Sequence, residues 1–263
     1  MNAVTEETRT QFRSTSGLIG EKIESVDGEV CGKCRDFLFD DENWTIRYIV
    51  ADTGHFLNRQ EVLLSPFVFS NPEFGAYESR MPTVLTKDWI EASPRLETDA
   101  PISQQFEEEL ARHFNYPLYW SGAGLWGLAP YPTSEVPSPD ELMRHKHEMD
   151  EIRESRLRSC DEITGYRVLA GEEEIGKVDD FIVETKPWRI RYLVVDAGSW
   201  LRGRRVTLSP DWVDAISWND RVVRMDDFVR ATVEEAPTFD PATGINRDYE
   251  GALYDYYGRP RYW

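Results

Sequence analysis

The sequence predicts a mainly β protein with α appendages. It reads as two small closed β units in tandem, each followed by a helix and an aromatic tail, arranged as a pseudo-two-fold. Three observations carry this reading. The chain repeats itself at a lag of 144 residues, strand-type alternation with frequent turn signals opens each copy, and a helical stripe followed by Pro-x-Tyr-Trp closes it.

The repeat is clearest where GKCRDFLFDDENWTIRYIVADTGHFLNRQEVLLSP (32–66) lies over GKVDDFIVETKPWRIRYLVVDAGSWLRGRRVTLSP (176–210) without a gap. Sixteen of these 35 positions are identical, where chance would give roughly two, so the halves are copies. The tail HFNYPLYW (113–120) recurs as YYGRPRYW (256–263). The implied boundaries are a disordered N-terminus at 1–16, a first unit at 17–120, a linker with a charged helix at 121–161, and a second unit at 162–263. The linker opens with the Gly- and Pro-rich run SGAGLWGLAPYP. Its helix is expected to start at Ser138-Pro139, with Leu142, Met149 and Ile152 as a thin apolar stripe.

Within each unit, WTIRYIVAD and WRIRYLVVD alternate and carry apolar residues on both faces, as a small closed barrel requires. Turns are marked by Asp27-Gly28, Asp41 to Asn43 and Thr53-Gly54, then by Gly171, Lys186-Pro187, Gly198 and Gly203. The closing helices place Ile102, Phe106, Leu110 and Phe114, and likewise Ile245, Tyr249, Leu253 and Tyr257, at i, i+4, i+8 and i+12. Asn115 and Gly258 are suited to end them in a left-handed turn, and Pro117 and Pro260 forbid continuation.

Composition narrows the function classes. The net charge is −18, which argues against phosphate-backbone binding and against attraction to anionic membranes. No apolar run approaches the roughly 20 residues that span a bilayer. The polar start MNAVTEETRTQFRSTSG has no signal-peptide character. Three cysteines, Cys31, Cys34 and Cys160, make no disulfide framework. A cytoplasmic location is the resulting expectation.

The pattern Gly20, Gly32, Asp36, Trp44 to Val50, Ser65-Pro66, repeated as Gly165, Gly176, Asp180, Trp188 to Val194, Ser209-Pro210, resembles the PRC-barrel family. The resemblance covers 17–94 and 162–237 and implies a small β-barrel in each. The family is named for the cytoplasmic domain of the photosynthetic reaction centre H subunit, and its barrel also forms the C-terminal domain of a bacterial ribosome maturation factor. Its better-understood members dock or assemble, and the reaction-centre member shapes proton access to a quinone. The resemblance implies no catalytic residue, and fold alone does not give function.

Each chemical motif has a structural reading beside it. Cys31 and Cys34 form a C-x-x-C, half a zinc site or a redox pair, but their counterparts are Ile175 and Val178, so apolar filling is favoured and no metal is expected. His145 and His147 diverge on a helix, and His55 and His113 have no partner motif. Asp36/Asp180, Arg47/Arg191, Asp52/Asp196, Glu107/Glu250 and Lys33/Lys177 are kept in both copies. The aspartates are read as turn-fixing groups and the arginines as partners of carboxylates on the barrel rim, rather than as acid–base machinery.

Tyr119, Trp120, Tyr257, Tyr262 and Trp263 have two readings: exposed docking residues, or a clamp buried on a barrel, with Trp120 and Trp263 mostly covered. The clamp is favoured. The expected function is a non-enzymatic, cofactor-free interaction or assembly module with a protein partner, a homodimer being compatible. The alternatives are a small-ligand or ion-binding protein with an inter-barrel pocket, and an accessory of membrane electron transport by analogy with the H subunit.

Overall fold

The computed structural model describes residues 12–54, 60–69, 80–95, 102–133, 156–198 and 203–263. The charged helix expected from Ser138 onward, with His145 and His147, and the residue His55 lie outside them. The chain forms two compact units. Unit 1 takes in Leu18–Arg158 and Glu184–Arg189; unit 2 takes in Phe12–Gly17, Ser159–Val183 and Ile190–Trp263.

In unit 1, β2 (Lys22–Glu24), β3 (Val30–Asp40) and β4 (Thr45–Asp52) form an antiparallel meander. Strand β5 (Glu61–Leu64) pairs antiparallel with β4, and β6 (Arg80–Pro82) runs parallel to β2. A short 3-10 turn at Pro66–Val68 follows β5, and helices Lys87–Glu91 and Gln104–Phe114 follow β6. In unit 2, β8 (Arg167–Ala170), β9 (Glu173–Glu184), β10 (Arg189–Asp196), β11 (Arg205–Leu208) and β13 (Val222–Met225) follow the same order, with β12 (Ala215–Ser217) added beside β13. A 3-10 turn at Pro210–Trp212 and helices Arg230–Glu234 and Arg247–Tyr257 complete it.

The registers coincide as well as the order. Ile49 faces Leu64 in unit 1 and Leu193 faces Leu208 in unit 2, both shifted by 144 residues. Side-chain period two makes such agreement demanding, since a one-residue slip would turn every core residue outward. The hairpin between β3 and β4 turns at Trp44, and the one between β9 and β10 at Trp188, with φ of 53° and 55°. A left-handed tryptophan is unusual. Burial of both rings, at 6% and 2% exposure, holds them there. Gly32 is required by crowding, because a Cβ there would stand 2.5 Å from the Asp52 carbonyl oxygen, and Gly176 meets Asp196 in the same way.

The linear boundaries need correction. Phe12–Ser14, expected to be disordered, is strand β1 and pairs with β9 in unit 2, followed by the helical turn Thr15–Leu18. Its anchor is Asp180: Oδ1 accepts Thr15 Oγ1 at 2.8 Å and the Ser16 amide at 3.0 Å, and Oδ2 accepts Ser16 Oγ at 2.5 Å. Conversely, Leu157–Ser159, placed in the linker, is strand β7 on β3, followed by helix Cys160–Ile163. Arg156 in unit 1 bonds Asp41 at 2.8 Å and Glu42 at 3.1 Å. The tip Glu184–Arg189 also belongs to unit 1, where the Trp188 carbonyl accepts the Ile46 amide at 2.7 Å. Hydrogen-bonding capacity of strand edges, which no local pattern displays, decides these memberships.

Candidate functional site

Two of the kept polar pairs, Glu107/Glu250 and Arg47/Arg191, lie where each closing helix and tail meet the strands. In unit 2, the helix Arg247–Tyr257 is capped by Asn246, whose Oδ1 accepts the Tyr249 amide at 2.9 Å, and ends at Gly258 with φ 63°. Its buried face is Glu250, Leu253 and Tyr254. A fully buried carboxylate is costly unless donors surround it. Glu250 has three. Tyr192 from β10 and Tyr262 from the tail each donate a hydroxyl to Oε1 at 2.7 Å, and Arg247 donates Nη1 to Oε2 at 2.8 Å. One carboxylate thus ties strand, helix and tail together. The Arg191 guanidinium lies 3.9 Å from the centre of the Tyr262 ring, and that of Arg247 lies 4.7 Å from the centre of Trp263. Burial, then the charge of Glu250, pushes the Tyr192 phenol far above its ordinary range.

Unit 1 repeats the constellation with changes. Helix Gln104–Phe114 is capped by Ser103 and ends at Asn115, φ 56°, as the stop residue requires. Glu107 is again fully buried. Burial pushes up the phenols of Tyr48 and Tyr119, with the Glu107 carboxylate contributing to both. The Arg47 guanidinium lies 4.0 Å from the centre of Tyr119, matching Arg191 on Tyr262, and also 4.8 Å from that of Trp126.

Arg47 differs from its expected role. It does pair with a carboxylate, Nε to Asp40 Oδ2 at 2.7 Å, but both side chains are buried rather than on a rim, at 3% and 7% exposure. Its Nη1 also donates to the Leu125 carbonyl at 2.6 Å. Leu125 and Trp126 come from the run read as a linker. That run folds back tightly instead. Gly127 donates to the Tyr119 carbonyl at 2.7 Å and Trp126 to Ala129 at 2.9 Å. A Cβ on Gly122 would strike the Gly127 carbonyl at 2.6 Å. Trp126, 1% exposed, packs edge-on to Phe67 and donates Nε1 to the Pro187 carbonyl at 2.7 Å. The only sequence signal for it was an isolated Trp between glycines.

The tail expectation needs correction too. Trp120 is half-buried and Trp263 is 45% exposed. Trp263 stands edge-on to Tyr254 and Tyr262, at centroid distances of 5.3 and 4.9 Å, with the Arg247 and Arg261 guanidinium groups over its ring, and is still nearly half exposed. Tyr119, Tyr257 and Tyr262 are half-buried, so the clamp is made by the tyrosines while Trp263 stays accessible. Tyr257 packs on Trp212 and Phe228.

The duplicated aspartates bind backbone. Asp36 and Asp180 accept the next residue's amide at 2.7 and 2.8 Å, and Asp52 and Asp196 accept Gly54 and Gly198 amides at 3.1 and 2.8 Å. Cys31 and Cys34 are buried at 7% and 2% exposure, as are Ile175 and Val178, and burial pushes the Cys34 thiol well up. Trp89 and His113 exchange backbone-directed bonds at 3.1 and 3.0 Å.

The fold and site together describe a mainly β protein in which short antiparallel strands carry a helix bound through a buried carboxylate. Residues 156–228 match the model of the PRC-barrel domain. No curated protein matches the chain. Among the described residues, no helix is long and apolar enough to cross a membrane.

Proposed function

We propose that the chain is a tandem of two PRC-barrels acting as a non-enzymatic protein-interaction module in the cytoplasm, with the aromatic end of unit 2 as its contact surface. The tandem reading rests on the 16 identities that carry the matched segment over to 32–66, and on the shared strand registers. The observation that carries the function is the state of the tail. Trp263 (45% exposed), with Arg261 over its ring, and Tyr256 (37%) lie at the end of the closing helix, where Arg259 and Arg261 pair with Asp227 and Asp255. Trp, Tyr and Arg held rigidly and still accessible are the residue types that dominate interface hot spots. The duplicated polar residues support the same reading, because the aspartates and Glu250 are engaged with backbone, phenols or arginine. Fixing structure is work enough for them.

Crosslinking of tagged protein in its own cells tests this. Wild type is expected to capture a defined partner, or a second copy of itself, and Trp263→Ala, with an unaltered circular dichroism spectrum, to lose it. The same captured set with the variant would refute this surface.

A further inference from the structure

Unit 2 contains a cavity of about 430 Å³ that the proposed contact surface does not use. This volume is within the range of small-molecule sites, about 300–1,000 Å³. One wall is the N-terminal arm, through Phe12, Arg13 and Ser16; the other walls come from β9, β10, β11 and the segment before the closing helix. The apolar part of the lining is Phe12, Ile182, Val194, Phe239 and Ile245. The charged part is Arg13, Arg205, Asp179 and Asp180.

The hydrogen-bonding capacity of these groups is unequal. Both Asp180 oxygens are taken up by Thr15, Ser16 and the Phe181 amide. Asp179 is engaged by Arg205 Nε at 2.6 Å. That contact uses one edge of a guanidinium with five N–H donors. Among the described residues its two Nη groups have no hydrogen-bond partner, and the side chain is 42% exposed. The unused fork at the cavity wall matches the geometry of a carboxylate or sulfonate. Two neighbouring aspartates would repel a second negative charge on the ligand.

We infer that this cavity binds a small amphipathic monoanion, its acid group on the Arg205 Nη fork and its apolar body against Phe12 and Phe239. Such a ligand touches both the arm and the barrel, so it would hold β1 in place. The corresponding ion pair of unit 1 has the opposite polarity, Arg35 Nε to Glu61 Oε1 at 3.0 Å. Glu61 stands at the position of Arg205, so the acceptor-binding fork belongs to unit 2.

Anilinonaphthalene sulfonate is the probe, an aromatic body with one sulfonate and a fluorescence that rises on leaving water. Wild type is expected to bind it saturably at one site per chain. Arg205→Gln should weaken binding about tenfold or more, the scale of a charge-assisted bond. Asp179→Asn should tighten it, because it removes a competing carboxylate and frees the guanidinium. Arg35→Gln in unit 1 should leave it unchanged, and the uncharged anilinonaphthalene should bind more weakly than the sulfonate. Opposite signs from the two partners of one ion pair would not arise from loss of structure. Equal affinity in wild type and Arg205→Gln, or weakening by Asp179→Asn, would overturn the assignment.

Discussion

Arg47 and Arg191 occupy the same place in two copies of one strand, and both stack on the tyrosine of their own tail, at 4.0 and 3.9 Å. Their surroundings differ. In unit 1 the chain runs on beyond the Tyr-Trp pair, and Trp126 closes over the guanidinium, which is sealed with Asp40. In unit 2 Trp263 is 45% exposed and Arg191 is half-buried. The comparison separates two contributions. The Arg–Tyr stack and the buried glutamate attach the helix and tail to the strands in both copies. In unit 1 the site is sealed from water by the buried Trp126 over Arg47.

The widest difference is therefore expected at the arginines. Arg47→Leu strands Asp40 in the interior and should cost about 3–5 kcal/mol. Arg191→Leu removes a half-buried side chain and its stack on Tyr262, and should cost less than Arg47→Leu. Denaturant unfolding of the two variants measures this, and equal shifts of the midpoint would break the comparison.

Next come the tryptophans that end the two sites. Trp126→Ala removes a buried ring and its hydrogen bond to Pro187, at about 3–5 kcal/mol. Trp263→Ala, at an open edge, should cost about 1 kcal/mol by area. Intrinsic fluorescence during the same titrations would report both. A large loss at Trp263 would restore the buried-tail reading and remove the contact surface proposed above.

The phenols test the buried placement in each unit. Tyr48, Tyr119 and Tyr192 have raised pKa values, and burial pushes Tyr249 up to about 12. In the unfolded chain these phenols ionise near about 10. Above that pH the unfolded state releases protons that the folded state retains, so stability falls as pH rises. It is fully present below about pH 10, and for Tyr249 the loss runs through about pH 12. Alkaline unfolding followed by tyrosinate absorbance should be one cooperative step in each unit. Gradual ionisation with the fold retained would contradict the buried placement.

The smallest effect concerns the inverted ion pair. Arg35–Glu61 and Asp179–Arg205 bridge equivalent strands with reversed charges. Arg35→Glu and Glu61→Arg alone should each cost up to about 1 kcal/mol, and together they should recover most of it, because unit 2 already carries that polarity. A double variant as weak as the sum of the singles would show that the two sites are not interchangeable.

The sequence by itself determined the repeat, the strands around Trp44 and Trp188, and the helix stops at Asn115 and Gly258. These are written in short-range quantities: side-chain periodicity, turn chemistry and a backbone that must go left-handed. It also marked Arg47, Arg191, Glu107 and Glu250 as kept, without saying that each arginine meets a tail tyrosine or that Glu250 gathers two phenols. Tertiary structure decided those meetings, along with the burial of Trp126 within an apparent linker. It also decided the placement of Phe12–Ser14 on β9 and the openness of Trp263. Each depends on which distant strand edge or ring fills a space. The cost of burying an unpaired charge or an unpaired backbone amide then selects the partner, and neither cost can be read from neighbours in the chain.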